Sequence, residues 1–330
     1  MIKRIEKIQV NYQGVPDPCT LVMNKGLSTP YNCAMHIGEH ITQKSALAIV
    51  NDELWDMHRP LTEDCTLQLL HFQDDDPTSL NKAFWTSCSF LLGHMLETAF
   101  KDQYYVQLCG FPRSSIESGS FVHDVHINTP FPWNPTSIEL QILGKIITKL
   151  AMQDAKFERL EVDASVAQEM FSDNQYKADQ IPQIASKSMS GNKVTLYRVD
   201  NHIDISVGPM IASSAHIGIF NVTAIHPHHC PKYGDIQRVQ GVALPSQLSL
   251  HYLAMEQLKE RASRKVRLKK GCMRVTLCVM YYSIRRIICC SPHEVRGSLS
   301  SASASVSESA LRDKEDTGDN LTNTHNRAPN

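Results

Sequence analysis

Short runs in which apolar and polar residues alternate fill the first part of the chain. The runs at residues 4–10 and 20–23 predict two strands, and the Gly- and Pro-containing segment at residues 14–18 predicts the hairpin turn between them. This pattern is typical of a small β-grasp unit of ubiquitin-like size. We therefore predict a first domain at residues 1–73.

A helix is predicted after this hairpin. Thr29 is a suitable N-cap, and Pro30 suits the first helical position. Cys33, Ile37 and Ile41 then recur at the four-residue spacing of one helix face.

Two further strand-like runs, at residues 45–50 and 66–72, complete this region, with a turn at Asn51 and Asp52 between them. The order of hairpin, helix and strands resembles the TGS domain at the front of threonyl-tRNA synthetase. The resemblance implies a β-grasp fold for the first domain.

A long helix is predicted next, opening after the acidic triplet at residues 74–76 and ending near Phe100. Its apolar positions at helical spacing are Leu80, Phe84, Cys88, Leu91, Leu92, Met95, Leu96 and Ala99. Negative charge is favourable at a helix N-terminus, so we interpret the triplet as a solvated N-cap, with metal binding as the alternative. The helix is expected to be amphipathic, and Phe90, near the rim of its apolar face, is expected to be a core residue.

The following part of the chain mixes strand and helix patterns. Strands are predicted at 104–109, 121–127, 159–162, 193–199, 203–207 and 217–225, and helices at 135–152, 164–171 and 245–264. On the last helix, Leu248, Tyr252, Met255 and Leu258 are expected on one face. The mixture indicates an α+β fold with a largely antiparallel sheet. We predict a second domain at residues 74–264.

Two segments of this second domain resemble the editing domain of threonyl-tRNA synthetase with its reactive residues replaced. Residues 86–94, Thr-Ser-Cys-Ser-Phe-Leu-Leu-Gly-His, resemble the synthetase helix in which a His-x-x-x-His pair precedes Leu-Leu-Gly-His. Residues 204–210, Asp-Ile-Ser-Val-Gly-Pro-Met, resemble its Asp-Met-Cys-Arg-Gly-Pro-His segment. The degenerate editing-site positions are thus Thr86, Phe90, Asp204, Ser206 and Met210.

The replacements remove the groups on which the chemistry depends. Two His side chains at i and i+4 place two nitrogens on one helix face for metal or proton work, whereas Phe90 has neither donor nor acceptor. Ser206 would need an adjacent base to act as a nucleophile, and the two His positions that would supply one are missing. We therefore predict no catalytic residue, no cofactor and no small-molecule substrate.

Two more segments carry the resemblance: residues 119–125 are similar to the synthetase's Gly-Phe-Tyr-Tyr-Asp-Val, and residues 236–243 to its Leu-Gln-Arg-Ile-Tyr-Gly-Thr-Ala. No charging core follows, because the roughly 66 remaining residues are too few and contain none of the three class II motifs. A synthetase-like front end with an emptied editing pocket and no charging core resembles a family of mitochondrial large-subunit ribosomal proteins. The resemblance implies a non-enzymatic component of the mitochondrial ribosome in the matrix, held mainly by neighbouring proteins, with limited ribosomal RNA contact.

Composition agrees with a globular body for most of the 330 residues, of which 42% are hydrophobic. Through Arg264 there are 22 basic and 28 acidic residues, a mildly acidic balance that argues against wrapping of a phosphate backbone. The ten cysteines form no CxxC pair and show no evident disulfide spacing, and no signal peptide is visible, which together indicate a reducing compartment with thiols mostly buried as small hydrophobes. No apolar stretch is long enough to span a bilayer, so a soluble protein without membrane insertion is expected.

Both ends of the chain differ from the family pattern. Residues 1–4 run almost directly into the first strand, so no mitochondrial presequence is visible. Residues 265–330 are predicted to be a disordered tail, basic at first and then low in complexity. The basic residues that are candidates for RNA binding are Lys265, Arg267, Lys269, Lys270, Arg274, Arg285 and Arg286. An alternative C-terminus with no selected role is the competing hypothesis, because a lone basic cluster is weakly specific.

A zinc site is a further hypothesis for residues 226–230. The possible ligands are His226, His228, His229 and Cys230. A closed structural site needs ligands on two supporting elements, whereas Pro227 and Pro231 predict an exposed loop. We therefore predict no metal site there. Trp55, Trp85 and Trp133 are expected to be core or interface anchors.

Three classes of function follow from these patterns. The first is a structural ribosomal protein, the second a stand-alone deacylase of mischarged tRNA, and the third a TGS-based tRNA-binding regulator. A deacylase would keep His at 86, 90 and 210 and Cys at 206, and all four are replaced. A TGS regulator ordinarily carries a nucleotide-hydrolysing domain, and no GxxxxGK[ST] loop is present. The structural class is favoured.

Overall fold

The computed structural model describes residues 5–101, 103–112, 116–128, 133–188 and 191–266, and confirms an α+β fold. Its first seven elements are β1 (Lys7–Tyr12), β2 (Cys19–Asn24), α1 (Pro30–Ile37), α2 (Glu39–Lys44), β3 (Leu47–Val50), β4 (Glu53–Trp55) and β5 (Cys65–Leu70). The five strands form one sheet in the order β2-β1-β5-β3-β4, with β1 parallel to β5 and the other pairs antiparallel. The predicted hairpin and strands of this front unit are therefore confirmed.

The first helix begins where its capping residues predict. The Thr29 side chain accepts a hydrogen bond from the Asn32 amide at 3.3 Å, and Asn32 Oδ1 accepts one from the Thr29 amide at 3.0 Å. The expectation of one continuous helix through Ile41 is wrong, because α1 ends at Ile37 and α2 starts after Gly38. Glycine is a poor residue for a helix interior, which agrees with a break at this position.

The rest of the described chain builds two antiparallel sheets and a set of helices. One sheet has the order β11-β12-β7-β6 and the other β10-β9-β8. The strands are β6 (Val106–Gly110), β7 (Phe121–Ile127), β8 (Glu158–Asp163), β9 (Lys193–Val199), β10 (His202–Ile205), β11 (Ile217–Cys230) and β12 (Gly234–Pro245). The helices are α3 (Thr78–Ala99), α4 (Ser137–Met152), α5 (Ala164–Met170), α6 (Gln175–Ala178), α7 (Ile181–Ala185) and α8 (Tyr252–Ser263).

Helix α3 is the centre of this architecture. It begins at Thr78, whose amide donates to the Asp76 carboxylate at 3.1 Å, so one residue of the acidic triplet acts at the helix N-terminus. The N-cap itself is Pro77, which corrects the prediction that the triplet caps the helix. The prediction of an amphipathic helix is wrong, because every residue from Ala83 to Leu96 is buried except the partly exposed Thr86. The reason is tertiary packing: strands β6, β7, β10 and β12 and helix α4 surround α3 on several sides.

Sequence patterns missed or misplaced several other elements. Residues 234–245 form strand β12, which pairs with both β11 and β7, and the two short helices α6 and α7 were not predicted. The last helix begins at Tyr252 rather than near Pro245, because Pro245 still belongs to β12. Of the residues expected on one face of this helix, Tyr252 is 68% exposed whereas Met255 is buried, so the four do not form one buried face.

The tryptophans act as packing anchors, as predicted. Trp85 is buried on α3 and meets the edge of Phe121 with ring centroids 5.7 Å apart. Trp133 packs against Phe100 at 4.9 Å. Trp55 carries the Arg59 guanidinium over its ring at 3.5 Å, a cation–π contact.

The front unit is hydrogen-bonded to the rest of the body. The Ala212 amide donates to the Ala46 carbonyl at 2.9 Å, and the Gln247 side chain donates to the Lys44 carbonyl at 2.7 Å. The Phe72 amide in turn donates to the Gln247 side-chain oxygen at 3.2 Å. The front unit is thus a fixed part of one packed body, and the limits of 1–73 and 74–264 for two domains stay a prediction. Among the described helices, none has the length and apolar content that crossing a membrane requires.

Candidate functional site

The residues that replace the editing-site histidines both lie on helix α3. Positions 86 and 90 are one helical turn apart and therefore lie on the same side of α3. Thr86 is partly exposed and its hydroxyl donates to the Lys82 carbonyl within the helix at 2.9 Å. Phe90 is completely buried, so its predicted core role is confirmed and its expected position at a rim is wrong.

Aromatic rings enclose Phe90. Its ring centroid lies 4.6 Å from that of His202, 5.9 Å from Phe157 and 6.3 Å from Phe111. Edge-on and tilted arrangements of this kind are favourable for aromatic pairs. The position that holds a reactive imidazole in the synthetase motif is therefore an apolar contact point in this chain.

The two ends of the segment from Ser206 to Met210 are buried as well. The Ser206 hydroxyl accepts a hydrogen bond from the Gly208 amide at 3.3 Å, and among the described residues no imidazole or carboxylate bonds to it. Met210 is buried, and its sulfur accepts a hydrogen bond from the Ser87 hydroxyl of α3 at 3.4 Å. The serine at the nucleophile position thus has no base beside it to remove its proton.

Gly208 allows this segment to approach Tyr197 closely. Its φ is +69°, and a Cβ at this position would lie 2.0 Å from the Tyr197 hydroxyl oxygen. Only glycine fits here without a shift of the ring. The Tyr197 hydroxyl donates to Asp56 of the front unit at 2.9 Å, and the Met210 amide donates to the same carboxylate at 2.9 Å.

Asp204 keeps a charged partner that the sequence did not reveal. Its Oδ1 lies 2.5 Å from Lys177 Nζ of α6, and both side chains are buried. The Ile205 amide also donates to Oδ1, at 2.6 Å, whereas Asp204 Oδ2 has no hydrogen-bond partner among the described residues. Burial raises the pKa of the Asp204 carboxyl, but the charge of Lys177, the neighbouring rings of His123 and His202 and the hydrogen bond from Lys177 together outweigh burial and hold that pKa below its usual value.

Two buried histidines stand beside this ion pair and were also missed. His123 Nδ1 donates to the Ser89 carbonyl at 2.9 Å, and His202 Nδ1 donates to Glu97 at 2.6 Å. The Nε2 atoms of both rings have no hydrogen-bond partner in the described part of the chain. Burial, followed by the charge of Lys177, lowers the pKa of His123 to about 4, so that this ring is neutral near pH 7.

Gly93 on α3 makes room for both rings. A Cβ at Gly93 would lie 2.9 Å from His123 Cε1 and 3.0 Å from His202 Nε2. A glycine inside a long predicted helix was the available sequence signal, because such a position marks a close approach of another group. The chain distances between these partners explain why spacing alone did not find them.

The Lys177–Asp204 pair borders a cavity of about 270 Å³. Its charged lining consists of Glu97, Asp173, Lys177 and Asp204, and we call it the acidic cavity. Thr86, Phe90, Ser206 and Met210 do not line it. Of the five degenerate editing positions, only Asp204 lines the acidic cavity.

The segment from His226 to Cys230 is not an exposed loop, which corrects that prediction. It is the end of β11 and pairs with β12 through Gly234. Its rings bond to different groups: His226 Nε2 to the Ser263 carbonyl at 2.9 Å, His228 Nε2 to Arg238 at 3.1 Å and His229 Nδ1 to Asp235 at 2.8 Å. In the described ranges no three His, Cys, Asp or Glu side chains are placed to hold a metal ion.

Only one of the basic residues predicted to contact RNA is described. Lys265 donates to the Pro227 carbonyl at 2.7 Å, next to the end of α8. The others, Arg267, Lys269, Lys270, Arg274, Arg285 and Arg286, lie outside the described residues. Their role stays a prediction.

Comparisons with known proteins agree with the front unit and with the body. Residues 14–71 match the TGS domain model. The chain is 47% identical to large ribosomal subunit protein mL39 of Drosophila melanogaster over 266 residues, which cover 80% of this chain and 79% of that protein. The chain belongs to the mL39 family.

The synthetase resemblance is also found, at a greater distance. The chain is 30% identical over 241 residues to the cytoplasmic threonine--tRNA ligase 2 of Bos taurus, covering 71% of this chain and 30% of that ligase. It is 28% identical over 260 residues to the human cytoplasmic threonine--tRNA ligase 1, with 76% and 33% coverage. The chain thus spans about a third of the ligases but most of mL39.

Proposed function

We propose that this protein is a non-catalytic structural component of the mitochondrial large ribosomal subunit and supports mitochondrial translation. The observation that carries the proposal is the 47% identity that extends over about four-fifths of both this chain and mL39. A relationship of that extent includes the front unit and the packed body together. The proposal places the protein in the mitochondrial matrix, among neighbouring ribosomal proteins.

The state of the former editing site supports a non-catalytic role. Phe90 occupies a reactive position with three aromatic neighbours, and Ser206 Oγ bonds to a backbone amide rather than to a base. Catalysis by a serine needs a nucleophile, a base and an orienting group within hydrogen-bond reach of one another. At Ser206 the deacylase alternative has the hydroxyl, but among the described residues neither a base nor an orienting group is hydrogen-bonded to it.

The acidic net charge of the body supports the proposal that its contacts are mainly with proteins. The body through Arg264 has six more acidic than basic residues, and such a surface gains little from displacing the counterions of RNA. Ribosomal RNA contact is therefore proposed to be local, with the basic residues after Arg264 as its candidates. Binding that rests on protein contacts depends less steeply on salt than binding to phosphates.

Gradient sedimentation tests the proposal directly. The tagged full-length chain is expressed in cells, mitochondria are lysed, and large subunits are separated in low and in moderate salt. We expect the chain to sediment with the large subunit in both conditions, while a tagged matrix enzyme stays at the top of the gradient. Recovery of the imported chain only in ribosome-free fractions would contradict the proposal.

A further inference from the structure

The acidic cavity carries more negative than positive charge. Three carboxylates, Glu97, Asp173 and Asp204, line it together with one ammonium group, that of Lys177. Because Lys177 and Asp204 already neutralise each other at 2.5 Å, the excess lies with Asp173 and with Glu97, which also accepts a hydrogen bond from His202. Glu97 is about half exposed and Asp173 is exposed, so both carboxylates are accessible from solvent.

Large apolar side chains surround the entrance. Tyr105 is 50% exposed, Met170 44% and Ile203 36%, and all three line the cavity. A pocket whose accessible lining combines carboxylates with apolar side chains suits a long side chain with a cationic end and an aliphatic stem. Its volume of about 270 Å³ lies just below the range of about 300–1,000 Å³ that is typical of pockets for drug-sized molecules.

The walls of the cavity are held in place without a ligand. The Tyr105 hydroxyl donates to the Asp173 carbonyl at 2.9 Å, and the Asn174 side chain donates to the Leu108 carbonyl at 3.0 Å. These bonds tie the segment between α5 and α6 to the start of β6. A pocket that is already formed loses little conformational freedom when it is filled.

We propose that the acidic cavity is a docking socket for an arginine side chain of a neighbouring ribosomal protein. This inference rests on the proposed function and names the chemistry of one of its partners. Arginine fits better than lysine because its planar guanidinium donates several hydrogen bonds at once, here to Glu97 and Asp173, while its stem contacts Met170 and Ile203. Arginine is also one of the residues on which protein interfaces most often depend.

The negative charge of the cavity favours a basic protein segment over RNA as its partner. A phosphate backbone would meet the two accessible carboxylates at the entrance and would be repelled by them. A peptide that presents arginine beside apolar residues matches both the carboxylates and the apolar side chains that line the socket. The surface is thus complementary to a basic protein segment.

Photo-crosslinking in the assembled subunit identifies the occupant. p-Benzoylphenylalanine replaces Met170 at the cavity rim in the full-length chain, and Met152, which is 83% exposed at the end of α4, carries it in the control. The socket predicts a cross-link from position 170 to a ribosomal protein peptide with an arginine within a few residues, and a different product from position 152. A cross-link from position 170 to ribosomal RNA or to a peptide without arginine, or no cross-link there from chains inside the subunit, would overturn the socket.

A matched pair of charge-reversal variants measures how much the socket contributes to retention in the large subunit. Asp173→Arg places a competing guanidinium at the entrance, while Glu169→Arg makes the same charge change on an exposed residue of α5 that does not line the cavity. We expect about tenfold faster loss from large subunits at about 0.15 M salt for Asp173→Arg and little change for Glu169→Arg. Cooperative unfolding of both purified variants confirms that they fold. Equal retention of the two variants would refute the socket, whereas absence of even the parent chain from subunits would refute the proposed function itself.

Discussion

Asp56 accepts a hydrogen bond from the hydroxyl of Tyr197, which lies 141 positions later in the chain, at 2.9 Å. The same carboxylate accepts the amide of Met210 at 2.9 Å and lies 3.8 Å from Arg159 Nε. One buried carboxylate of the front unit therefore holds two segments of the body, one of them the degenerate editing segment. Burial raises the pKa of Asp56, and the hydrogen bond from the Met210 amide opposes that rise.

Removal of this carboxylate is expected to destabilise the whole body. Asp56→Ala leaves the Tyr197 hydroxyl and the Met210 amide without an acceptor, which should lower the free energy of unfolding by roughly 3 kcal/mol. Chemical denaturation of the full-length chain measures the loss. Asp163→Ala removes an exposed carboxylate that caps nothing with its side chain, and should change stability by less than about 0.5 kcal/mol.

The coupling energy between Asp56 and Tyr197 can be measured separately. Tyr197→Phe, Asp56→Ala and the double variant form a cycle in which contacting residues typically show a coupling energy of about 0.5–3 kcal/mol. We expect a value in this range. Additive effects of the two single changes would show that the hydrogen bond contributes nothing.

Restoration of the editing residues should reduce stability and confer no activity. Phe90→His inserts a polar ring among Phe111, Phe157 and His202, and we expect it alone to cost roughly 3 kcal/mol of unfolding free energy. The full set adds Thr86→His, Ser206→Cys and Met210→His. The groups that orient such residues would still be missing, so the variant should not hydrolyse Ser-tRNA or Thr-tRNA above background.

The unmodified protein provides the critical test of that expectation. Purified chain and the Ser206→Ala variant are assayed side by side on Ser-tRNA and Thr-tRNA, with a threonyl-tRNA synthetase editing domain as the positive control. We expect neither to exceed the uncatalysed rate. Deacylation by the unmodified protein that disappears in Ser206→Ala would show that the site is active.

The residues after the last helix set the limit for truncation. The Val266 amide donates to Gln240 Oε1 at 3.0 Å, and Gln240 Nε2 donates to the Arg264 carbonyl at 3.0 Å. A chain that ends after Val266 should keep the stability and cooperative unfolding of the full-length protein. A chain that ends after Arg264 loses the partly buried hydrogen bond of Val266 and the exposed one from Lys265 to the Pro227 carbonyl, and should be about 1 kcal/mol less stable. A broad or lost transition after truncation at Val266 would show that the folded body extends further.

Local patterns predicted the elements whose residues are close in sequence. The Thr29 cap of α1 and the β1–β2 hairpin depend on residues within about 20 positions of one another, and both were found. Helix α3 was found as a helix, but its nearly complete burial depends on strands that the chain adds later. Burial pattern along one element cannot show how many neighbours will cover it.

The candidate site shows the same limit more sharply. A resemblance to known motifs located Asp204, but its partner Lys177 lies 27 positions away on a short helix that no periodicity marked. The His202–Glu97 bond spans 105 positions, and the sequence around either residue contains no sign of the other. The polar contacts of Asp204 and His202 therefore depend on tertiary structure, and the local sequence does not predict them.

Two buried imidazoles give the last prediction, an acid-sensitive stability. Burial, followed by the charge of Lys177, lowers the pKa of His123 from 6.5 to about 4, and burial lowers that of His216 to about 4, where Asp154 acts in the opposite direction. Between pH 6.5 and pH 4 each of the two imidazoles binds a proton in the unfolded chain but stays neutral in the folded chain. The free energy of unfolding should therefore be highest above about pH 6.5 and fall as the pH is lowered toward 4. One pKa unit corresponds to about 1.4 kcal/mol, so each ring contributes a loss of roughly 3 kcal/mol.

Variants separate this effect from the titration of carboxylates in the same range. His123→Gln offers an amide donor to the Ser89 carbonyl but does not titrate, so the decline in unfolding free energy between pH 6.5 and 4 should be smaller than in the parent. His36→Gln changes an exposed histidine and should leave the decline as it is. Urea unfolding at half-unit pH steps measures all three curves. Parallel curves for the parent and His123→Gln would show that His123 accepts its proton as readily in the folded chain as in the unfolded one, and the buried neutral ring would have to be abandoned.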